Sequence, residues 1–286
     1  MADQENDLKK DMNVVERKEA RRRESPSAAV VYEAIRHEAE SELKRPLMGL
    51  AWSALAAGLS MGFSFVAQAL LMTYLPDTQW QPVISSFGYA VGFLFVILGR
   101  QQLFTENTLT PVLEVLRVKD WCTVRKTLNL WMVVLLFNMV GTAIFAGMLS
   151  GFDVLDPSNN AALAEIAAHE YENSFNHMFV KAIFAGWLVA LMLWLMPFAG
   201  SGRVGVIVIV TYVIGLANFP HIVAGSVAAL YGVYSGAHTL GEFFGVFFVP
   251  TLLGNMVGGI MLVGAVNYAQ VAYSQLSEED ERKNNC

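Results

Sequence analysis

Residues 131–149, WMVVLLFNMVGTAIFAGML, decide the fold, because residues 248–266, FVPTLLGNMVGGIMLVGAV, repeat them 117 positions later. Seven aligned positions are identical, and they include the tetrapeptide Asn-Met-Val-Gly, which runs from Asn138 to Gly141 and from Asn255 to Gly258. Apolar helices often resemble one another by chance, but a shared asparagine at the same depth of both stretches is less common. The pattern therefore indicates an internal repeat.

The rest of the chain is apolar enough to cross a membrane several times. Apolar residues make up 55% and charged residues 15%, whereas a soluble domain is about a quarter charged. Uncharged blocks of about 20 apolar residues are typical of membrane spans. Six spans are predicted, at residues 47–75, 82–99, 128–152, 175–199, 204–234 and 242–273.

Lys and Arg alternate between the loops on the two sides. Ten of the nineteen fall in residues 1–46, four in residues 112–127, one at Arg203 and two in the C-terminal tail, while the intervening loops 76–81, 153–174 and 235–241 have none. The positive-inside rule therefore predicts a multi-pass membrane protein with both termini in the cytoplasm.

Each copy of the repeat holds three spans. Because three is odd, the two copies must cross the membrane in opposite senses, which is the plan of many channels and transporters. The predicted fold is an all-α membrane protein with six transmembrane helices in two inverted three-helix repeats, at about residues 46–152 and 175–273.

The repeat also relates two interruptions, because position 104 corresponds to position 221. One is the polar stretch 99–107, GRQQLFTEN, and the other is 215–221, GLANFPH, where Pro220 should break the helix. Broken backbone at membrane depth lines a cavity or is buried in protein. Broken second and fifth spans therefore predict a transport site, with freed amides at the half-helix N-termini facing an anion.

His221 is the central candidate. The nearest other charged or histidine residue is His238, and an ionisable group inside a membrane suggests function. The alternative is a neutral histidine with both ring nitrogens hydrogen-bonded inside the bundle. We favour function, because the repeat sets His221 opposite Phe104 and Thr105. We expect an imidazole exposed to a narrow permeation route, where it offers a proton or hydrogen bond to a weak-acid anion.

The first interruption supplies the other pore candidates. Thr105 and Asn107 either line the pore or cap a helix that starts near residue 108, and Phe104 is either a constriction or packing. Arg100 and Glu106 should pair with each other or reach water.

Elsewhere the alternatives stay open or favour packing. Lys181 either lines the outer vestibule or extends to the membrane surface. Asn138 and Asn255 are interpreted as polar groups that join helices, and Gly58 and Gly62 as a packing face. The outer-loop residues His169, Glu170, Glu172 and His177 lack a metal-binding spacing and are interpreted as a solvated acidic loop.

Residues 1–45 form a predicted cytoplasmic tail with an amphipathic helix at about 26–45, and residues 274–286 form a second tail. The helix either lies on the inner membrane surface or packs on the cytoplasmic ends of the spans. The basic run 21–23 indicates anionic lipid rather than nucleic acid. No nucleophile with a base, no cofactor motif and no cysteine pattern is present, so we expect neither an enzyme nor a cofactor or metal.

Three motifs resemble the formate/nitrite transporter family. They are Lys44-Arg45-Pro46 followed by Ala57, Gly58 and Gly62; Leu103-Phe104-Thr105-Glu106-Asn107, similar to Leu-Phe-Thr-Gly-Asn; and Phe219-Pro220-His221 with Val223-Ala224, similar to Phe-Glu-His-x-x-Ala-Asn. The resemblance implies an aquaporin-like fold and a homopentamer with one pore per subunit, which passes formate, nitrite, hydrosulfide or a similar monoanion. It also implies a place in a bacterial-type inner membrane, with His221 as the central pore histidine, Thr105 as a residue of the gating loop and Phe104 as its aromatic neighbour. The predicted pore residues are His221, Thr105, Phe104, Asn107, Phe219 and Leu103.

The chain departs from the family pattern at several positions. The asparagine four residues after the histidine is Gly225 here, and the glycine after Phe-Thr is Glu106. The family's acidic residue before Leu-Phe is Gln102 here. The lysine that the family has in the outer part of span four aligns with Ser174, and its asparagine further along that span aligns with Ala190. Two other functions therefore stay open: a pore for a neutral or other small solute, and a membrane sensor or assembly protein that does not transport.

Overall fold

The computed structural model describes residues 27–152, 154–266, 269–270 and 273. The helix start expected at residues 25–26, the basic run 21–23 and the C-terminal tail lie outside the described residues. The helices are α1 Ala28–Glu42, α2 Leu47–Tyr74, α3 Gln81–Leu98, α4 Thr110–Val118, α5 Trp121–Gly151, α6 Pro157–His169, α7 Phe175–Leu195, α8 Arg203–Leu216, α9 Ile222–Tyr234 and α10, which starts at Leu240.

The predicted membrane segments are confirmed. Among the described residues, five helices are long and apolar enough to span a membrane. One of them, α3, is followed by the first interruption, and the shorter apolar helices α8 and α9 together form the interrupted fifth span. The third span begins at Trp121 rather than at 128, because Asp120 caps it by accepting a hydrogen bond of 3.0 Å from the Thr123 amide. The sixth span alternates between π-helical turns, Phe243–Phe248 and Gly258–Ala265, and the α-helix Val249–Val257.

The repeat appears as two equivalent helix pairs, α2 with α5 and α7 with α10. A Cβ at Gly58 of α2 would overlap the backbone of Asn138, and a Cβ at Gly186 of α7 would overlap the backbone of Asn255. The partner of each asparagine-bearing helix therefore approaches to backbone contact, which only glycine permits. The packing role predicted for Gly58 is confirmed.

Both interruptions begin with the same helix ending. At the first, Arg100 has φ 52°, and the amides of Arg100 and Gln101 donate to the carbonyls of Ile97 and Val96. At the second, Asn218 has φ 49°, and the amides of Asn218 and Phe219 donate to Gly215 and Ile214. This pair of bonds with a left-handed residue is the Schellman ending of a helix. The second break was expected at Pro220, but α8 already ends at Leu216.

Arg100 is the costlier of the two left-handed residues. Asparagine tolerates this backbone region, whereas a residue with a long side chain loses roughly 1–2 kcal/mol there. We therefore expect Arg100→Gly to raise the thermal unfolding midpoint, with a stabilisation of about 1 kcal/mol. The substitution breaks a 3.3 Å ion pair with Glu38 on the surface, which adds little to stability. Arg100→Lys keeps the strain and serves as the control, and a glycine variant no more stable than the lysine variant would contradict the argument.

Helix α1 packs on the ends of the spans rather than standing apart from them, which agrees with the second of the two predicted alternatives. Ile35 and Ala39 are buried, and Ile35 forms one cluster with Leu109, Leu113 and Ala190. The outer loop also differs from the expectation, because residues 157–169 form the helix α6, which packs against α2 and α9.

Candidate functional site

The two interruptions meet inside the bundle. Oγ1 of Thr105, from the first, lies 2.7 Å from Nε2 of His221, from the second, and both side chains are fully buried. A polar pair from opposite halves of the repeat is the arrangement that the sequence predicted for these two residues.

The hydrogen-bond network assigns the protons of this pair. His221 is the N-cap of α9, and its Nδ1 accepts from the amide of Ala224 at 3.1 Å. A backbone amide only donates, so Nδ1 carries no hydrogen and the neutral ring carries it on Nε2. Nε2 therefore donates to Thr105 Oγ1, and the hydroxyl hydrogen of Thr105 is left for another acceptor.

Asn138 and Asn255 hold the two interruptions in place. Asn138 accepts from the Phe104 amide at 2.9 Å and donates to the carbonyls of Ala54 and Gln102. Asn255 accepts from the Ile222 amide at 2.8 Å and donates to the carbonyls of Ala182 and Pro220. Each amide thus joins a neighbouring helix to the broken backbone, so the predicted joining role is confirmed and extends to the breaks themselves.

These bonds correct one expectation. The amides of Ile222 and Ala224, in the first turn of α9, were expected to face an anion, but they donate to Asn255 and His221. The Phe104 amide is likewise taken by Asn138. Buried amides need partners, and protein groups supply them here.

Of the aromatic residues near the site, one contacts the imidazole of His221 and the others pack on rings around it. Phe93 of α3 meets the imidazole edge-on, with ring centroids 5.0 Å apart; nothing in its apolar context marked it in the sequence. Phe104 is buried and packs edge-on against Trp131, at 6.2 Å. Phe219 is half-buried and stacks on Phe184 of α7 at 5.3 Å rather than on the imidazole. Leu103 is fully buried in the core.

The imidazole is 0% exposed, so the expectation that it is open to a permeation route is wrong for this structure. Thr105 and Phe93 cover the ring, and a cavity among the described residues ends short of it. That cavity, of 810 Å³, lies between α1 and the first interruption and is lined by Gln102, Glu106 and Asn107 but not by His221. The structure is therefore closed between Asn107 and His221.

The same cavity explains the charged residues of the first interruption. Arg100 and Glu106 both line it, and Arg100 pairs with Glu38 rather than with Glu106, so the alternative that they reach water holds. Asn107 does not cap a helix, because its side chain donates back to Gln102 Oε1 and the Leu103 carbonyl, each at 3.0 Å.

Helix α1 is joined to the same interruption. Gln102 Nε2 donates to Glu42 of α1 at 2.8 Å, while its Oε1 accepts from Asn107. The amide that stands at the acidic position of the family pattern thus links α1 to the loop that carries Thr105.

Known proteins share this architecture. The sequence model of the formate/nitrite transporters matches residues 29–269. The inner membrane protein YfdC of Escherichia coli K12 is 40% identical over 247 residues, which are 86% of this chain and 80% of YfdC.

Two solved structures have the same fold. An FNT family ion channel superposes with a TM-score of 0.71 at 20% identity, covering 85% of this chain and 96% of its own. A pentameric formate channel with formate bound superposes with a TM-score of 0.66 at 21% identity, covering 78% and 96%. The inverted six-span fold with two broken spans is thereby confirmed.

Proposed function

Because this chain belongs to the formate/nitrite transporter family, we propose that it carries a small monovalent weak-acid anion, such as formate, nitrite or hydrosulfide, through a pore in each subunit. His221 and Thr105 act on that anion at the middle of the membrane. The observation that carries this proposal is the 2.7 Å contact between Thr105 and His221 at the meeting point of the two interruptions.

A desolvated anion at mid-membrane is costly unless it receives hydrogen bonds or a proton. The Thr105 hydroxyl has a hydrogen to donate, because its oxygen already accepts from His221 Nε2. The imidazole polarises that hydroxyl. Once the imidazole has taken up a proton, the imidazolium passes one through the hydroxyl to a base strong enough to take it and returns to the neutral ring.

Protonation of the imidazole is coupled to the backbone of α9. An imidazolium carries hydrogens on both nitrogens, so Nδ1 then no longer accepts from the Ala224 amide. Charging His221 therefore breaks the cap of α9 and loosens the closed arrangement around Thr105. We infer that this change opens the route between the cavity beside Asn107 and His221.

The proposal also includes the oligomeric state of the protein and its location in the cell. The protein forms a homopentamer in a bacterial-type inner membrane with both termini cytoplasmic, and it binds lipid but not nucleic acid. Residues 46–273 are the pore domain, and the flanking tails are cytoplasmic. It is a transporter or channel rather than an enzyme.

The test is stopped-flow uptake of formate, nitrite, hydrosulfide, ammonia and glycerol into proteoliposomes at two pH values, with empty liposomes as the control. We expect the three weak-acid anions to enter faster through the protein. Uptake of ammonia or glycerol alone would favour a neutral-solute pore, and an absence of all uptake would favour a sensor or assembly protein.

A further inference from the structure

A second polar group lies outward of His221 on the same side of α9. Gly225 follows His221 by four residues, about 6 Å along the helix and on the same face. A carboxylate oxygen of Glu170 comes within 3.1 Å of the point where a Cβ at Gly225 would lie. Glu170 therefore lies beside the place where the family pattern has its asparagine, and it shares the space next to Gly225 with Phe247.

The surroundings of Glu170 come from several elements. Phe247 of α10 covers the other side of Gly225, with its ring 2.8 Å from the same Cβ position. Tyr89 of α3 and Lys181 of α7 are close enough to interact electrostatically with Glu170. Tyr89 packs on Phe93, at 5.4 Å between ring centroids, so this outer level lies directly above the one that contains His221.

The neighbours of Glu170 in the loop fix its position through contacts of their own. The adjacent Tyr171 donates to the carbonyl of Ala229 at 2.7 Å, which fixes the loop to α9. Glu172 pairs with His169 at 3.0 Å. Within the described ranges, no side chain donates a hydrogen bond to Glu170 or forms an ion pair with it.

We propose that Glu170 is the outer selectivity residue of the pore, which admits an anion from outside when its carboxyl group is protonated and repels it when ionised. The inference rests on the proposed function, because it needs a permeating anion. A neutral carboxyl donates a hydrogen bond to the anion, whereas a carboxylate at the same place is a like charge in a narrow, partly desolvated passage.

Burial raises the pKa of Glu170 to about 7, although His169 and Lys181 act in the opposite direction. The groups that face it are Tyr89 from α3, Lys181 from α7 and Tyr171 from its own loop, with Glu242 acting on Tyr171. Neither α2 nor α9 carries an Asp, Glu, Lys, Arg or His. Since the carboxyl is neutral below about pH 7 and ionised above it, inward flux should fall as external pH rises through 7.

The experiment measures formate uptake into proteoliposomes with the internal pH fixed and the external pH varied from about 6 to about 8.5. For a single group with a pKa of about 7, the protonated fraction falls about 30-fold over this range. We expect wild-type inward flux to fall by roughly that factor and Glu170→Gln to remain high at the alkaline end. Glu165→Gln, an exposed carboxylate on α6, is the matched control and should follow the wild type.

A second variant tests the same group without removing it. The charge of Lys181 lowers the pKa of Glu170, so Lys181→Met should move the midpoint of the flux profile to higher pH, whatever its effect on the rate. A Glu170→Gln profile identical to the wild type, or an unmoved midpoint in Lys181→Met, would overturn the role of Glu170 but leave the proposed function standing. Absence of uptake of any weak-acid anion by the wild type overturns the proposed function and this inference with it.

Discussion

Replacing His221 by alanine is expected to abolish weak-acid anion flux or to lower it by about 100-fold, the usual contribution of a positioned proton donor. The variant removes both bonds of the ring: the one to Thr105 Oγ1 and the one from the Ala224 amide. The Thr105 hydroxyl then loses its polarising partner, and the proton route between the two halves is lost. Uptake of formate by proteoliposomes at two pH values measures the effect.

The matched control is His177→Ala, because His177 is exposed at the outer start of α7; its flux should equal that of the wild type. At Thr105, serine keeps the hydroxyl and valine removes it at nearly the same size. We therefore expect Thr105→Ser to retain flux and Thr105→Val to resemble His221→Ala. Unchanged flux with unchanged pH dependence in His221→Ala would remove the histidine from the mechanism.

Replacing either Asn138 or Asn255 by alanine is the second change with a large expected effect, this time on stability. Each substitution leaves one buried amide and one buried carbonyl of an interruption without the side chain that pairs them, and it removes a further bond to a carbonyl of a neighbouring helix. Unpaired buried groups cost about 1–3 kcal/mol each, so we expect a loss of roughly 3–6 kcal/mol. Thermal unfolding in detergent, followed by circular dichroism and by loss of the oligomer, measures it.

Leu136→Ala and Leu253→Ala are the matched controls, because they lie two residues before the asparagines at equivalent repeat positions and are 59% and 45% exposed. Both should unfold close to the wild-type temperature. Asn138→Asp and Asn255→Asp keep the acceptor for the broken backbone but not the two donated bonds, so their stability should be intermediate. Alanine variants as stable as the leucine controls would show that the asparagines do not hold the interruptions.

Much of the fold was readable because its physical causes are local or periodic. Long uncharged segments must cross a membrane, and three spans per repeat must invert the second copy, so hydropathy and the Asn-Met-Val-Gly match predicted the architecture. The second break was also predicted, although its start was misplaced. The sequence predicted the break at Pro220, whereas α8 ends through the left-handed Asn218. Asparagine favours this helix ending, but its presence alone does not predict one.

The candidate site, too, could be predicted from the sequence only in part. The repeat offset alone predicted that His221 lies opposite Thr105, because symmetry-related positions lie at equivalent depth. It did not show that both ring nitrogens are occupied and that the ring is sealed, since neither Phe93 nor the Ala224 amide carries a signal in the sequence. Glu170 was interpreted as part of a solvated loop, because charge in a loop usually faces water.

The sequence by itself determined the number of spans, their inverted order and the two interruptions, because the need to bury apolar surface and to satisfy a broken backbone acts on each segment separately. Only the tertiary structure decided which partner each freed polar group finds. Asn255 reaches the amide of Ile222 from 33 residues away, and Glu170 comes to lie against Gly225 from the end of another helix. Hydrogen bonds act at about 3 Å whatever the distance along the chain, so these contacts exist only after the helices have packed.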